Sequence, residues 1–403
     1  MIFAEMKLKC WKEAFLTRKT DALDSDPEEM RFMSDYLMSD RFDQDLDRLA
    51  KGDFFFDIPT LIFLRKGQSN RRRKVYRFTP ENKAILKYLT YMMMEKNDAR
   101  FPDSLYSFRR NRSIRKLYSQ IRETDPDREM YVVKADIHSF GESIDPALLD
   151  EMLQKWLSDE PELYSFIMWL ITRNRYIRNG KEEEGFTSVL PGNPLVTFLQ
   201  NIFLQDVDRF MQENSVICCR YSDDICMICK DRETAERNMA KLMELIHSLS
   251  LEANEEKTEI IPPGKDFDLL GIKYAPGFQD ISDNTYIKAS TRIKHRADRL
   301  LRKTREGVLS KDEAVSRMAF FVNRYFYGIP EEDGLSFSEH FFPYITSVER
   351  LKKLDHLSQD CFRVLATGRH TNAKYRFRYS DIRKLGYVPL VHAYYSRFSR
   401  GAK

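Results

Sequence analysis

Several classes of protein are excluded by what this sequence lacks. The chain of 403 residues contains only six cysteines, whose scattered positions do not suit the disulfide framework of a secreted domain. It contains no run of 18 or more apolar residues, so no membrane-spanning helix is expected. The first residues include Glu5, Lys7 and Lys9, where a secretion signal would be apolar. We therefore expect a cytoplasmic protein.

Charge is nearly balanced overall but is distributed unevenly along the chain. The formal net charge is +4, yet residues 290–403 contain 23 Lys and Arg against 12 Asp and Glu. Residues 1–50 contain 8 against 12. A basic C-terminal third on a nearly neutral body favours a polyanionic partner such as nucleic acid. Charge alone leaves a second interpretation open, a solvated surface that happens to be rich in Lys and Arg.

Hydrophobic patterning predicts an α/β fold in the middle of the chain. The apolar run at 131–137 predicts a buried strand, and the pattern at 215–230 predicts two strands around a tight turn, with helices between. A single strand is predicted at 267–275, and two strands flank the basic turn at 66–73. Beyond residue 290 the pattern becomes almost wholly helical and basic. We therefore expect three regions, with boundaries near residues 125 and 275.

The turn Tyr221-Ser222-Asp223-Asp224 places two acids between apolar runs on both sides. Two adjacent carboxylates at a hairpin tip repel each other, and a purely structural turn would more often use Asn-Gly or Asp-Gly. A divalent cation would remove the repulsion and give the carboxylates a function. Four residues can also occur by chance, so on this motif alone the functional and the structural interpretation stay equally open.

A third carboxylate, Asp136, ends the strand predicted at 131–137. Taken alone, a capping residue after a strand is the ordinary interpretation. Strands that end at one edge of a sheet would bring Asp136 to Asp223 and Asp224. Three carboxylates can hold two Mg²⁺ ions about 3.5–4 Å apart, one at the attacking hydroxyl and one at the leaving pyrophosphate. Oxygen ligands of this kind are those that magnesium prefers.

Motifs along the chain resemble those of the reverse transcriptases of group II introns, retrons and bacterial defence (abortive-infection) systems. The matching segments are YVVKADIHSFGESID, VLPGNPLVTFLQNIFL, RYSDD, LEANEEKTEI and FDLLGI, together with YSFRRNRS and the tail GYVPLVHAYY. They resemble, in order, the motifs D-I-x-x-F-x-x-S-I-D, L-P-Q-G-N-P, YxDD, N-x-x-K-T and F-x-x-L-G, then a fingers segment and the family's C-terminal ending. Single motifs are weak, but their shared order makes the resemblance specific.

The resemblance implies an α/β right-hand polymerase, whose palm is a mixed sheet plus helices. Fingers with an N-terminal extension would occupy 1–125, the palm 126–275 and a helical basic thumb 276–403. The implied activity is that of an RNA-directed DNA polymerase in bacterial anti-phage defence. Its substrates would be dNTPs and an RNA template, its product would be DNA, and no membrane partner is expected. An associated non-coding RNA or partner protein is a further candidate. Two alternatives stay open: a template-independent or protein-primed polymerase of the same fold, and an inactive nucleic-acid-binding module.

The resemblance also assigns roles to individual residues. The candidate metal ligands, for two Mg²⁺ ions with Mn²⁺ as an alternative, are Asp136, Asp223, Asp224 and the carbonyl of Ile137. Lys257 would donate a proton to pyrophosphate, although the residue pattern fits an exposed lysine equally well. The candidates for substrate binding are Lys66, Arg73, Arg109, Phe140, Gly141 and Gly192. The candidates for nucleic-acid binding are Arg292, Lys294, Arg299 and Arg302.

Gly141 departs from the family pattern. It stands where the family has an aromatic residue that clashes with a ribose 2′-hydroxyl, so its presence predicts weak discrimination between dNTPs and NTPs. A second interpretation is that Gly141 permits a positive φ in the turn, with Phe140 as the gate. Gly192 is expected to let the backbone approach the incoming nucleotide. For Lys66 and Arg73, a solvated turn remains an equal alternative to phosphate binding.

Overall fold

The computed structural model describes residues 2–20, 27–65, 72–109, 112–185, 188–189, 191–328 and 336–397. The chain divides into two compact units. One comprises Met1–Leu117 and Met130–Pro262, and the other comprises Tyr118–Glu129 and Pro263–Lys403. Within the described ranges, every helix is too short or too polar to cross a lipid bilayer.

The first unit begins with helices and then alternates strands and helices. Its first elements are α1 (Ile2–Glu5), α2 (Lys9–Thr20), α3 (Pro27–Leu37), α4 (Asp40–Ala50), β1 (Thr60–Arg65), β2 (Arg72–Arg77) and α5 (Pro80–Asn97). Helix α6 (Ile114–Thr124) contributes residues to both units. The unit continues with β3 (Tyr131–Asp136), α7 (Phe140–Ser143), α8 (Pro146–Trp156), α9 (Pro161–Thr172), β4 (Arg175–Arg178), β5 (Lys181–Glu184), α10 (Val196–Phe203), α11 (Gln205–Asn214), β6 (Ile217–Tyr221), β7 (Asp224–Cys229), α12 (Arg232–Ser248) and β8 (Glu259–Ile261).

One sheet of this unit has the strand order β6-β7-β3-β8, and its neighbouring strands all run antiparallel. Val132, Val133 and Ile228 in its two central strands are fully buried. Continuous apolar runs of this kind are typical of strands covered on both faces. Helices α11 and α12 pack against the sheet. The strand predicted at 131–137 and the strand pair predicted at 215–230 are confirmed.

A second sheet has the order β2-β1-β4-β5. The predicted pair of strands around the basic turn is confirmed as β1 and β2, which run antiparallel. The hairpin β4–β5 was not predicted, although its Asn179-Gly180 turn, in which φ is 51° and 76°, carries the sequence signature of a tight hairpin. Strand β4 pairs with β1 in parallel through Thr60 and Ile177.

The second unit combines a small sheet with helices. Its elements are β9 (Phe267–Leu269), β10 (Ile272–Ala275), β11 (Phe278–Ile281), α13 (Asp283–Arg305), α14 (Lys311–Tyr327), α15 (Phe337–Phe341), α16 (Glu349–Thr367), α17 (Tyr379–Lys384) and α18 (Leu390–Arg397). Segment 267–275, predicted as one strand, forms two. The chain turns at Leu270 and Gly271, where φ is 48° and 91°, and glycine adopts such a φ without steric cost.

The C-terminal tail of the second unit is anchored by a buried acid. The carboxylate of Asp355 accepts hydrogen bonds from Tyr387 Oη at 2.5 Å, from Leu390 N at 2.8 Å and from Val391 N at 3.0 Å. These bonds satisfy the first backbone donors of α18, which otherwise lack partners at a helix start. Three residues of the segment GYVPLVHAYY therefore have a structural role within this unit, because they bind the carboxylate of Asp355.

Candidate active site

Backbone pairing brings the three predicted acids together. Strands β3 and β7 pair so that Asp136 lies opposite Asp224. The amide of Ile137 donates a hydrogen bond to the carbonyl of Asp223 at 3.2 Å. The turn between β6 and β7 contains Ser222, whose φ of 59° is unusual for a residue other than glycine. One end of the sheet β6-β7-β3-β8 thus holds all three carboxylates.

Two residues of the N-x-x-K-T segment contact Asp136, whose side chain is nearly buried. Lys257 Nζ lies 2.8 Å from Asp136 Oδ1, and Asn254 Nδ2 lies 3.2 Å from Oδ2. The amide of Asn254 also donates to the Asp136 carbonyl at 2.7 Å. Burial lowers the pKa of Lys257, but its hydrogen bond to Asp136 and the neighbouring negative charges outweigh that effect and raise the pKa above its ordinary value. Lys257 is therefore held as an ammonium.

The carboxyl of Asp224 lies in an unfavourable electrostatic environment. Its side chain keeps an open side to water, although protein atoms crowd the carboxyl. That loss of solvent, followed by the negative charge of Asp223 and more weakly of Asp136, raises the pKa of Asp224 above its ordinary value. A cation placed between the acids would oppose this shift.

The three acids have the ligand chemistry that a divalent cation prefers, but their side chains are too far apart in this structure to bind one together. Within the described part of the chain, no three His, Cys, Asp or Glu side chains are close enough together to hold a metal ion. Asp136 is instead engaged by Lys257 and Asn254. The donors nevertheless are carboxylate oxygens, which hard cations such as Mg²⁺ prefer, and the excess negative charge around Asp224 favours a counter-ion.

A cavity of about 280 Å³ lies on one face of the sheet β2-β1-β4-β5. It is lined by Leu61, Phe63, Lys74, Tyr76, Glu142, Tyr176, Arg178, Gly185, Ser188 and Pro191. The rings of Tyr76 and Tyr176 meet edge to face with centroids 5.7 Å apart. Lys74 and Arg178 add two cations. Sequence reasoning missed these four residues, although strand alternation on β2 would have placed Lys74 and Tyr76 on one face.

Residues 64–274, just over half of the chain, match the family described as reverse transcriptase (RNA-dependent DNA polymerase). The chain belongs to the reverse transcriptase family. A solved structure of apo telomerase from Candida tropicalis, truncated from the C-terminal domain, resembles it with 10% sequence identity and a TM-score of 0.44. The likeness covers 56% of this chain and 55% of the other, so this chain spans about half the length of that structure. No curated protein matches this sequence.

The reverse transcriptase fold is an α/β right hand with fingers, a palm of mixed sheet plus helices, and a helical thumb, as the sequence predicted. The compact units divide the chain at other points than the predicted domain boundaries. Segment 263–275, predicted within the palm, belongs to the unit of the C-terminal helices, because its strand β10 pairs with β11, which contacts α16.

Two predicted gate residues of this reverse transcriptase lie on α7. Phe140 is 3% exposed and packs in the core, so a role for its ring as a ribose gate is not compatible with this structure. Gly141 does not have a positive φ, because the chain is helical there and the left-handed residue is Ser139, with φ 49°. A Cβ on Gly141 would meet only Gln200 Nε2, at 3.5 Å, which is ordinary contact. Local space therefore does not demand a glycine.

The predicted phosphate-binding cations are placed differently from one another. Arg109 is corrected to a structural role, because its guanidinium binds Asp98 Oδ1 at 2.9 Å and also backbone carbonyls, and its side chain is 5% exposed. Arg73 is exposed on β2, and strand alternation turns it away from Lys74. Lys66 lies outside the described residues.

Gly192 is required by packing between elements of the reverse transcriptase domain itself. Its φ is 99°, and a Cβ would lie 2.6 Å from Val75 Cγ1 and 2.9 Å from the Tyr76 carbonyl oxygen. The amide of Tyr76 donates to the Pro191 carbonyl at 2.7 Å. The close approach at Gly192 is made by strand β2, which gives this glycine a structural role, and its contact with an incoming nucleotide stays a prediction.

The four predicted nucleic-acid-binding cations are all exposed on α13. They are spread over its solvent face, since Lys294 is turned about 160° from Arg292 at 100° per residue. Arg292 lies over the ring of Tyr325 at 5.2 Å. Arg296, which sequence reasoning missed, lies over Phe321 at 5.4 Å, and the two rings are stacked. The sequence could have predicted these contacts, because Arg292 and Arg296 are four residues apart on one helix, and Phe321 and Tyr325 are four residues apart on another.

Proposed function

We propose that this chain is an RNA-directed DNA polymerase that joins nucleotides by two-metal nucleotidyl transfer and acts in bacterial anti-phage defence. The observation that carries the polymerase proposal is the pairing of Asp136 with the Asp223-Asp224 turn in a chain of the reverse transcriptase family. The domain boundaries proposed with it are fingers and N-terminal extension at 1–125, palm at 126–275 and thumb at 276–403.

Asp136, Asp223 and Asp224, with the carbonyl of Ile137, are the proposed ligands of two Mg²⁺ ions, for which Mn²⁺ could substitute. When bound, such ions supply Lewis acidity at the attacking hydroxyl and the leaving pyrophosphate. Lys257 then exchanges its contact with Asp136 for the leaving phosphate and donates a proton to it. The position of Lys257 supports this role, because its side chain is 57% exposed and holds Asp136 through a single contact at 2.8 Å.

Nucleotide and template contacts are proposed around Gly141, Arg73 and the cavity on the sheet β2-β1-β4-β5. The cations Lys74 and Arg178 suit phosphate, and the neighbouring tyrosine rings suit a base. For the product duplex we propose Arg292, Lys294, Arg299 and Arg302 of α13, because a helix with exposed cations on several sides attracts a polyanion. The proposed partners are an RNA template, a DNA product and dNTPs, with a non-coding RNA or a partner protein as a further candidate.

The polymerase proposal is tested by incubating the purified chain with each dNTP or NTP, a divalent cation, and an RNA template with a DNA primer. We expect templated DNA synthesis that falls by ~10³-fold or more when Asp223→Asn is combined with Asp224→Asn, because stabilisation of the transition-state charge is lost. Asp159→Asn, an exposed acid outside the site, is the matched control.

Each outcome bears on one part of the proposal. A double variant that is folded by circular dichroism and extends the primer at the wild-type rate would show that the acids are not the metal site. Product formed equally well without template, or from a protein hydroxyl, would favour the alternative polymerase. The defence proposal is supported only by the motif resemblance, and it predicts that phage plating efficiency falls in bacteria that express the wild type but not the double variant.

A further inference from the structure

We propose that Arg220 is a positioning residue for catalysis, which together with Asp208 holds the turn that carries Asp223. This inference rests on the proposed function, since the turn matters for activity only if its acids take part in nucleotidyl transfer. Arg220 itself contacts no acid of the site. It acts through the backbone of Ser222.

The side chains of Arg220 and Asp208 form a fully buried pair, at 0% exposure for each. Arg220 Nε donates to Asp208 Oδ1 at 2.7 Å, and Nη2 donates to Oδ2 at 2.6 Å. The remaining nitrogen, Nη1, donates to the carbonyl of Ser222 at 3.1 Å. All three nitrogens of the guanidinium therefore have acceptors, and one acceptor is the turn itself.

The backbone around this pair is fixed from two other elements. Arg220 N donates to the Ser104 carbonyl at 2.8 Å, and Tyr106 N donates to the Arg220 carbonyl at 3.0 Å. The hydroxyl of Ser104 donates to the Asp208 carbonyl at 2.7 Å. Segment 104–106, helix α11 and strand β6 are thus joined beneath the turn, so the guanidinium has little freedom to move.

The turn needs such support because its conformation is unfavourable by itself. Ser222 has φ 59°, and a left-handed conformation is unfavourable for a residue with a Cβ. The adjacent carboxylates of Asp223 and Asp224 repel each other and add to that cost. A hydrogen bond from a buried cation to the Ser222 carbonyl stabilises the required conformation, because charge-assisted bonds are about twice as strong as neutral ones.

Arginine suits this position and lysine does not. A planar guanidinium can bind both oxygens of Asp208 and still direct a third nitrogen at the turn, whereas an ammonium is a point donor without this fork. A buried ion pair that only stabilised the fold would not need the third bond. The bond to Ser222 is what distinguishes a positioning role from a structural one.

The test compares two replacements of the pair in primer extension with Mg²⁺. Arg220→Lys keeps the charge and removes the fork. Arg220→Met combined with Asp208→Leu removes both charges and keeps the apolar packing, a change that often preserves stability. We expect each to lower kcat by about 10- to 100-fold, as for a small misplacement of reacting groups, with KM for dNTP changed less than about twofold. The Mg²⁺ concentration for half-maximal activity should rise.

A suppressor and a matched control complete the experiment. Adding Ser222→Gly to the Met/Leu pair should restore part of kcat, because glycine adopts the left-handed conformation without support. Arg128→Met with Asp125→Leu changes another buried Arg–Asp pair, whose side chains are 1% and 3% exposed, and should leave kcat and the Mg²⁺ midpoint unchanged.

The inference is overturned if the folded Met/Leu variant keeps the wild-type kcat and Mg²⁺ midpoint. It is also overturned if kcat falls only in proportion to thermal stability and Ser222→Gly restores nothing. A wild-type chain with no activity, or activity that survives Asp223→Asn with Asp224→Asn, would instead contradict the proposed function. Failure of the positioning role is therefore distinct: an active wild type, an inactive acid variant and unaffected Arg220 variants.

Discussion

Two ion pairs near the same hairpin differ in almost every physical respect. In the first, Arg220 and Asp208 are both fully buried and bonded twice to each other. In the second, Lys257 is 57% exposed and meets Asp136, 8% exposed, through a single contact at 2.8 Å. The first pair supports the turn Tyr221-Ser222-Asp223-Asp224 through the Ser222 carbonyl, and the second lies beside Asp224, which pairs with Asp136.

The difference suggests a division of work within the palm. A buried, fully bonded pair cannot exchange partners without leaving a charge unsolvated, so it supports a fixed geometry. An exposed lysine loses little when it leaves a carboxylate, because water solvates the ammonium, whereas the nearly buried Asp136 is left with an unpaired charge until another cation replaces Lys257. Asp136 can therefore accept a cation in place of Lys257, whereas Asp208 stays with Arg220. In the proposed mechanism, the Arg220–Asp208 pair fixes the turn, while Asp136 exchanges Lys257 for a cation.

Removing the cation of each pair tests most directly whether the two ion pairs differ. Arg220→Ala leaves Asp208 buried and unpaired, which should lower the free energy of unfolding by about 3–5 kcal/mol. Lys257→Ala should lower it by less, because the lost side chain is 57% exposed and Asp136 keeps its hydrogen bond from Asn254. Urea denaturation followed by circular dichroism measures both. Equal losses for the two variants would mean that the pairs do not differ in the way their burial indicates.

A third kind of cation extends the comparison to α13, where Arg292, Lys294, Arg299 and Arg302 are exposed. Replacing all four with Gln should flatten the dependence of log K on log salt for primer–template binding, by about 0.9 for each phosphate of duplex DNA that the helix no longer neutralises. Fluorescence anisotropy at several salt concentrations measures the slope. Lys9, Lys51, Lys155 and Lys230, all exposed in the first unit, changed to Gln provide the control. An unchanged slope would show that this helix does not bind the nucleic acid.

A further prediction concerns Gly141 and the discrimination between dNTPs and NTPs. We expect Gly141→Phe to raise the ratio of kcat/KM for dNTP over NTP by at least about tenfold, because a ring there would clash with the 2′-hydroxyl. Gly141→Ala, whose Cβ the structure accommodates, should change the ratio little. Single-nucleotide incorporation gives both constants. If Gly141→Phe stays folded and its ratio equals that of the wild type, residue 141 does not face the sugar.

The smallest expected effect concerns the charge of Asp224. Because its pKa is raised in the folded chain, the stability gained from the neutral carboxyl is fully present below the ordinary pKa of Asp and is lost as pH rises through the raised pKa. Asp224→Asn should therefore raise Tm slightly at pH 7 without metal, and this gain should vanish in acid. Differential scanning calorimetry across pH measures it.

The same variants can be compared in the presence of Mg²⁺, where metal binding should stabilise the folded chain. At a Mg²⁺ concentration ten times Kd, the wild type should gain about 1.4 kcal/mol, while Asp224→Asn gains less because a ligand is lost. If Asp224→Asn lowers Tm at pH 7 without metal, the carboxylate is stabilised by the fold and the electrostatic account of the turn is wrong.

Local pattern was enough for the elements that carry the acids. The apolar run ending in Asp136 and the paired runs around Asp223 and Asp224 predicted the strands, because burial of a strand leaves its signature in consecutive residues. The same reasoning missed the hairpin β4–β5, whose strands are short and highly charged, and joined β9 and β10 into one strand by passing over Gly271. Turn chemistry at Asn179-Gly180 could have corrected the first error.

The sequence by itself determined the family, the α/β class and the order of the motifs, since these follow from residue types and near spacing. Tertiary structure alone decided which partner each group has. Lys257 and Asp136 are 121 positions apart, and the close approach of Gly192 to Val75 crosses between distant segments. The same holds for the buried ring of Phe140 and for the third bond of Arg220. Such contacts depend on the packing of whole elements, and periodicity within one element carries no information about them.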